Sequence, residues 1–288
     1  MKKCLFSVWC RGGVLVACAL SLLLVSCGGG GGGGSDDDDV VGSVSGGSVS
    51  NGITGSKVFI DGRTVTIWAR WCCDHEVTQE EYQSVMGSNP SYFSGTNKPV
   101  EMVSWFDAIT YCNKRSLAEN LTPCYTVSGV DFSGNVTVPT AGNDATWNAA
   151  ECDFTANGYR LPTEAEWEYF ARGGNITNSG QTDYSGSDII GNVAWYTENS
   201  SSTTHEVKTK SKNSLNLYDM SGNVGEWCWD RYSRISASTP SSGPSSGSGH
   251  VFRGGGWSSV APSCSVTSRG SFGGRNYTTG FRVVRSAQ

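Results

Sequence analysis

Seven consecutive glycines, Gly28 to Gly34, followed by Ser35 and four aspartates, Asp36 to Asp39, divide this chain before any helix or strand is sought. A run of that composition has no apolar area to bury and repels itself, so it behaves as a flexible tether and cannot join a core. Gly, Ser and Val continue to about Ser56. The tether therefore takes residues 27–56. Whatever folds must come from residues 57–288, a tryptophan-rich stretch long enough for one sizeable domain.

The segment before the tether reads as an export signal. Lys2, Lys3 and Arg11 make a basic start, and Val14 to Val25 is an apolar stretch of 12 residues, too short to span a bilayer. It ends in Leu24-Val25-Ser26-Cys27, which resembles a bacterial lipobox, where Cys27 is lipidated and becomes the mature N-terminus. The plainer reading is ordinary cleavage beside an incidental cysteine. The tether that follows favours the lipoprotein, since it would hold a domain away from a membrane touched only through the lipid. Residues 1–26 are then a signal peptide, and the protein is exported to the outer membrane or cell surface. Their removal leaves eighteen basic against twenty-six acidic side chains, a formal charge of −8. Nucleic acid and anionic lipid both demand a basic face, so neither is expected as the main partner.

Of eleven cysteines, Cys4, Cys10 and Cys18 leave with the signal peptide and Cys27 is the lipid candidate. Cys72, Cys73, Cys112, Cys124, Cys152, Cys228 and Cys264 remain. No CxxC pair occurs, which argues against a zinc ribbon. Exported proteins can form disulfides, but an odd number leaves at least one thiol over, and spacing does not fix the pairing.

Val58 to Trp68 alternates apolar and polar residues and predicts a strand or a hairpin around Asp61-Gly62. Thr78-Gln79-Glu80-Glu81 fits a capping box, with Tyr82, Val85 and Met86 on the apolar face of the helix it starts. Ser104-Trp105-Phe106-Asp107 is a weaker version ahead of Ala108, Ile109 and Cys112. Thr163-Glu164-Ala165-Glu166 is a third, preceded by Pro162 and followed by Trp167 and Phe170. Short strands and Gly, Asn and Ser turns fill the rest, and Ser236 to Gly249 is a low-complexity loop. The class is α+β.

The last stretch has fixed ends and an unusual middle. Arg253-Gly254-Gly255-Gly256-Trp257 and Gly280-Phe281-Arg282-Val283-Val284-Arg285 read as glycine and aromatic punctuation. Between them, Ser258 to Thr279 holds six Ser, three Gly and three Thr, with no Lys, Asp, Glu, Gln, Met or Trp. One reading is a Ser/Gly loop before a final strand. The other is a rigid frame carrying an adaptable contact surface, with small polar residues for hydrogen bonding and Tyr or Phe for contact area.

Gly158-Tyr159-Arg160-Leu161-Pro162-Thr163-Glu164-Ala165-Glu166-Trp167-Glu168-Tyr169 resembles the central motif of the formylglycine-generating enzyme family. Glu76-Val77-Thr78-Gln79, Leu217 to Trp227, and the two terminal blocks match in the same order. The resemblance spans roughly residues 70–285. It implies a C-type-lectin-like fold with two main helices, small antiparallel sheets and much loop. The capped Thr163 helix places Trp167 and Phe170 against the core, so its carboxylates are expected to be solvated or salt-bridged rather than catalytic. The family also binds calcium through a side-chain oxygen, two carbonyls and a Glu. The matching positions are Asp219, the carbonyls of Gly222 and Val224, and Glu226, hard oxygens that suit calcium. The other reading of that block is a turn closed by hydrogen bonds, with Glu226 in a salt bridge. No cofactor is required beyond such a structural ion.

The oxidising members hold copper(I) between two cysteines five residues apart. The corresponding positions here are Ser259 and Cys264, so the pair is broken and catalysis is not expected. Related iron enzymes use clustered histidines, and His75, His205 and His250 lack that spacing. The same lectin-like frame occurs in variable proteins of diversity-generating retroelements, whose treponemal members this chain resembles over its whole length, lipobox included. In that class the 3′ end of the gene is rewritten at adenines, and Asn codons become Ser, Gly, Thr, Tyr, Phe and others. The resemblance implies a variable region at about residues 253–285. It makes Ser258, Ser259, Ser263, Ser265, Ser268, Gly270, Ser271, Phe272, Asn276 and Tyr277 contact positions, with Arg269 and Arg275 as frame. Gly254 and Gly255 would turn the backbone, Trp257 would fill the core, and Phe281 with Val283 would form a buried strand. The expected protein is a monomer that binds an unidentified protein or other surface molecule through a small patch. The alternative is a divergent oxidase of the formylglycine-generating type, or an inactive relative of it.

Overall fold

The computed structural model describes residues 47–50 and 56–286; the signal peptide, Cys27 and most of the tether lie outside the described residues. In chain order come strands β1 (Gly47–Ser50), β2 (Thr64–Ile67) and β3 (Ala69–Cys72), then helices α1 (Gln79–Met86) and α2 (Trp105–Ala118). A middle section holds β4 (Tyr125–Thr126), α3 (Ala145–Asn148), β5 (Glu151–Cys152), β6 (Tyr159–Arg160), α4 (Glu164–Ala171) and α5 (Ile190–Val193). The last third holds β7 (Gly225–Arg231), β8 (His250–Arg253), a 3-10 turn (Ala261–Cys264), β9 (Arg269–Phe272), β10 (Thr279–Gly280) and β11 (Val284–Ser286). The architecture is α+β, with much of the chain in irregular segments.

All three capping boxes are closed. The side chains of Thr78, Ser104 and Thr163 accept from the backbone N–H three residues on, and Glu81, Asp107 and Glu166 return the bond. The buried faces of α1 and α2 meet Trp227, Phe281 and Val283 in one core cluster. Trp167 and Phe170 of α4 enter a second, with Cys72, Leu217, Cys228, Val251 and Val284. Two sheets tie these together. β10-β7-β8-β9 is antiparallel except for the parallel β10–β7 pair, and β11 lies antiparallel between β3 and β6.

Three expectations change. The strand expected over Val58–Trp68 is limited to β2. Val58 and Phe59 are consecutive and both buried, so they cannot alternate faces; their N–H groups turn onto Ser56 Oγ instead. The assigned tether supplies a strand, since Gly47–Ser50 pairs antiparallel with β2 from Gly47↔Ile67 to Ser50↔Thr64. A strand edge presents unpaired backbone groups, and this short segment satisfies them. Phe281 and Val283 are buried as expected, but they precede β11; their carbonyls accept from Val77 and Cys73, both at 2.9 Å.

Candidate functional site: the C-terminal surface

The last third carries four arginines between Arg253 and Arg282 that each reach a buried carboxylate. Arg253 pairs with Glu168 and Glu164. Arg269 grips Glu164 with Nε at 2.6 Å and Nη2 on the other oxygen. Arg275 meets both oxygens of Asp107 at 2.8 Å, and Arg282 meets both of Glu226 at 2.7 and 2.6 Å. A buried carboxylate is costly unless paired and hydrogen-bonded, so these contacts fix the segment's path. The α4 carboxylates are thus fully buried partners of arginine, including Glu166 with Arg160, and none is solvated. Gly254 and Gly255 turn the chain at φ +88° and +66°, and a Cβ on Gly255 would lie 2.8 Å from the Ser263 carbonyl.

Between these anchors the ten expected contact positions separate. Ser258, Ser263, Phe272 and Tyr277 are exposed, while Ser259, Ser265, Ser268, Gly270, Ser271 and Asn276 are half-buried. Ser259, Ser263, Ser268 and Gly270 line one cleft of about 190 Å³. Gly270 and Asn276 are also tied into the frame. Gly270 faces Phe252 in the β8–β9 register, and a Cβ there would fall 2.5 Å from its ring. The Asn276 side chain accepts from both Thr278 N and Oγ1 at 2.9 Å, and its carbonyl from Met102 N at 2.9 Å.

Trp257 does not fill the core. It is half-buried at the surface, donating from Nε1 to the Tyr277 carbonyl at 3.0 Å. Its ring lies 5.3 Å from Phe93 and 5.9 Å from Tyr277, and Tyr92 stands 6.1 Å from Tyr277. The indole instead joins an aromatic platform with Phe93, Tyr277 and Tyr92. Tyr92, 72 % exposed, and Phe93 were missed in the sequence. The signal was an aromatic pair inside an otherwise polar loop following Pro90. The loop is held from below: Phe93 N donates to Glu101 at 2.8 Å, and Gln79 Nε2 to the Phe93 carbonyl at 2.6 Å. Burial pushes the Glu101 carboxyl up to about 7.

The family's chemical positions are quiet. Ser259 Oγ accepts from Gly256 N at 2.9 Å, and Cys264 is fully buried, its thiol pushed up to about 12 by burial. His205 stacks on Trp195 and His250 on Trp105, each at 3.7 Å, and burial lowers His250 to about 3. At the calcium positions, Asp219 Oδ1 is buried and has no hydrogen-bond partner, a hard oxygen of the kind a cation claims. Glu226 has none to offer. Both its oxygens take Arg282, and one also takes Trp167 Nε1 at 2.7 Å. As arranged, Arg282 closes the turn by an ion pair, and Asp219 Oδ1 stays open beside it.

The sulfatase-modifying factor enzyme 1-like domain matches residues 36–287. The chaperone protein LppX of Paenibacillus barcinonensis is 39 % identical over 253 residues, covering 80 % of this chain and 85 % of that protein. Among solved structures, Treponema denticola variable protein 1 superposes with a TM-score of 0.77 at 40 % identity, covering 85 % of this chain and 94 % of that one. The formylglycine-generating enzyme of Streptomyces coelicolor is 34 % identical over 126 residues, 38 % of this chain and 39 % of the enzyme. Likeness to the first two runs over most of the chain, and likeness to that enzyme over little more than a third.

Proposed function

Because this chain belongs to the sulfatase-modifying factor enzyme 1-like domain family, whose fold serves more than one function, we propose that it is a binding protein and not an oxidase. It is an exported, lipid-anchored and surface-displayed domain, a monomer without a required cofactor. Its C-terminal region, about residues 253–285, is diversified by a retroelement so that copies of the gene bind differently. The observation that carries this reading is the division of labour in that region. Arg253, Arg269, Arg275 and Arg282 are pinned to buried carboxylates, while Ser258, Ser263, Phe272 and Tyr277 are turned to solvent. Such a surface can change residue by residue without moving its supports. Similarity to a variable protein and to the chaperone LppX over most of the chain supports a non-catalytic role. The ligand is a protein or other surface molecule.

The genomic test is direct. A nearby near-copy of the 3′ coding sequence, differing mainly at adenines and accompanied by a reverse transcriptase gene, is the expected finding; a locus with neither overturns diversification. The competing oxidase needs a second thiol where Ser259 stands. Copper-loaded protein should leave a Cys-x-Pro-x-Arg peptide unoxidised in oxygenated buffer. Measurable oxidation there would restore the enzyme.

A further inference from the structure

Cys73, Asp74 and His75 form a cluster that the C-terminal surface does not use. One donor atom from each lies within 4.8 Å of the others, and all three residues are buried. The segment follows β3, bends at Asp74 and His75 and is pinned: Cys73 N donates to the Val283 carbonyl at 2.9 Å, Val77 N to that of Phe281 at 2.9 Å, and Tyr218 N to that of Asp74 at 2.7 Å. The bend brings Cys73 Sγ to 3.8 Å from His75 Nδ1. Asp74 turns Oδ1 onto the same ring nitrogen.

The surroundings are built as well. His75 Nε2 faces Glu81 Oε2 at 3.6 Å. That oxygen is itself fixed by the α1 capping box, accepting from Thr78 N at 2.8 Å and Oγ1 at 3.0 Å. The second Asp74 oxygen pairs with Lys208 Nζ at 2.6 Å. Burial works against ionisation of Asp74, but His75 and Lys208 hold its carboxyl below the usual value.

We infer that Cys73 Sγ, Asp74 Oδ1 and His75 Nδ1 are the ligands of one borderline divalent cation of the zinc class, with Glu81 and Lys208 as outer partners. Thiolate, imidazole and carboxylate together select zinc or cobalt(II), whereas calcium wants oxygens alone. A metal-bound histidine usually has a carboxylate on its other ring N–H, and Glu81 Oε2 stands on that side, 3.6 Å from Nε2. Charge balances: the cation is neutralised by one thiolate and one carboxylate, and Glu81 cancels Lys208. Binding releases the thiol proton and the His75 Nδ1 proton that faces Asp74, and leaves the imidazole hydrogen on Nε2. Water completes four-coordination. Without a cation the same groups form a His75–Asp74 ion pair beside a thiol.

Cobalt(II) titration of the detergent-solubilised full chain, stripped of metal, separates the two. The expected result is one equivalent bound, with a sulfur-to-cobalt charge-transfer band that zinc abolishes. Cys73→Ser removes the band, while Cys228→Ser, at a buried cysteine in the other core cluster, keeps it. Glu81→Gln weakens cobalt affinity by about 10- to 100-fold, the range for outer-sphere partners. Should Cys73→Ser fail to fold, His75→Gln is expected to weaken and shift the band. A folded protein that shows no charge-transfer band, or an equal band in folded Cys73→Ser, overturns the site.

Discussion

Arg282 donates to both oxygens of Glu226 and to the carbonyls of Cys73 and Tyr218, with no exposed surface. Truncating it leaves Glu226 buried and uncompensated, so Arg282→Ala should lose about 3–5 kcal/mol of unfolding free energy. Ser258→Ala, on the exposed surface of the same segment, should stay within about 0.5 kcal/mol. Urea unfolding of the two variants beside the parent checks both, and equal losses would mean that frame and surface are not separate. At this scale the sequence was legible by type more than by partner. Arg269 and Arg275 stand out as charges among small residues, but their partners Glu164 and Asp107 lie 105 and 168 positions earlier. No local pattern links residues that far apart. Trp257 misled for a related reason. An indole beside three glycines looks like core, and its surface partner Phe93 lies far earlier in the chain.

The elements were legible where their signals are local. Thr78, Ser104 and Thr163 start helices because each cap and its return bond lie within four residues. Strand pairing was not, since β11 finds β3 and β6 across most of the chain and β1 pairs from within a segment whose composition reads as tether. Under α4, Asp230 accepts from Glu164 N at 2.6 Å, and burial with the Glu164 charge pushes its carboxyl up to about 7. A carboxyl that binds its proton more tightly folded than unfolded stabilises fully below about pH 4, and that stabilisation is lost as pH rises through about 7. Asp230→Asn keeps the acceptor and removes the titration. It should therefore flatten the fall in stability between pH 5 and 8, measured by urea midpoints across that range. The Asp219–Glu226 turn makes an opposite kind of prediction. With Glu226 held by Arg282, adding calcium to the metal-stripped protein should leave its Tm unchanged. A rise would mean that Arg282 yields its place to the ion.

For the whole molecule, the decisive property is whether the exposed residues of the last segment can change while the body does not. Ser258, Ser263, Phe272 and Tyr277 come from four stretches of backbone, each anchored separately by the glycine turn, the 3-10 turn, β9 or the Arg275–Asp107 pair. Substitutions at exposed sites that share no partner add. Replacing Ser258, Ser263 and Phe272 together, with residues of any size, should cost no more than about 1.5 kcal/mol, three times the single-site limit. In a domain of this size that is a fall in Tm of about 3–6 °C. Tyr277 is the exception, because its ring meets Trp257 and Tyr92. Its removal should couple to that of Tyr92 by about 0.5–1.5 kcal/mol in a double-mutant cycle, the usual worth of an aromatic pair. Calorimetry of the triple variant and of the cycle tests both statements. A triple variant that unfolds cooperatively near the parent's Tm fits a body built to carry different surfaces. One that collapses would mean that the serines hold the fold, and the surface could not then vary as proposed.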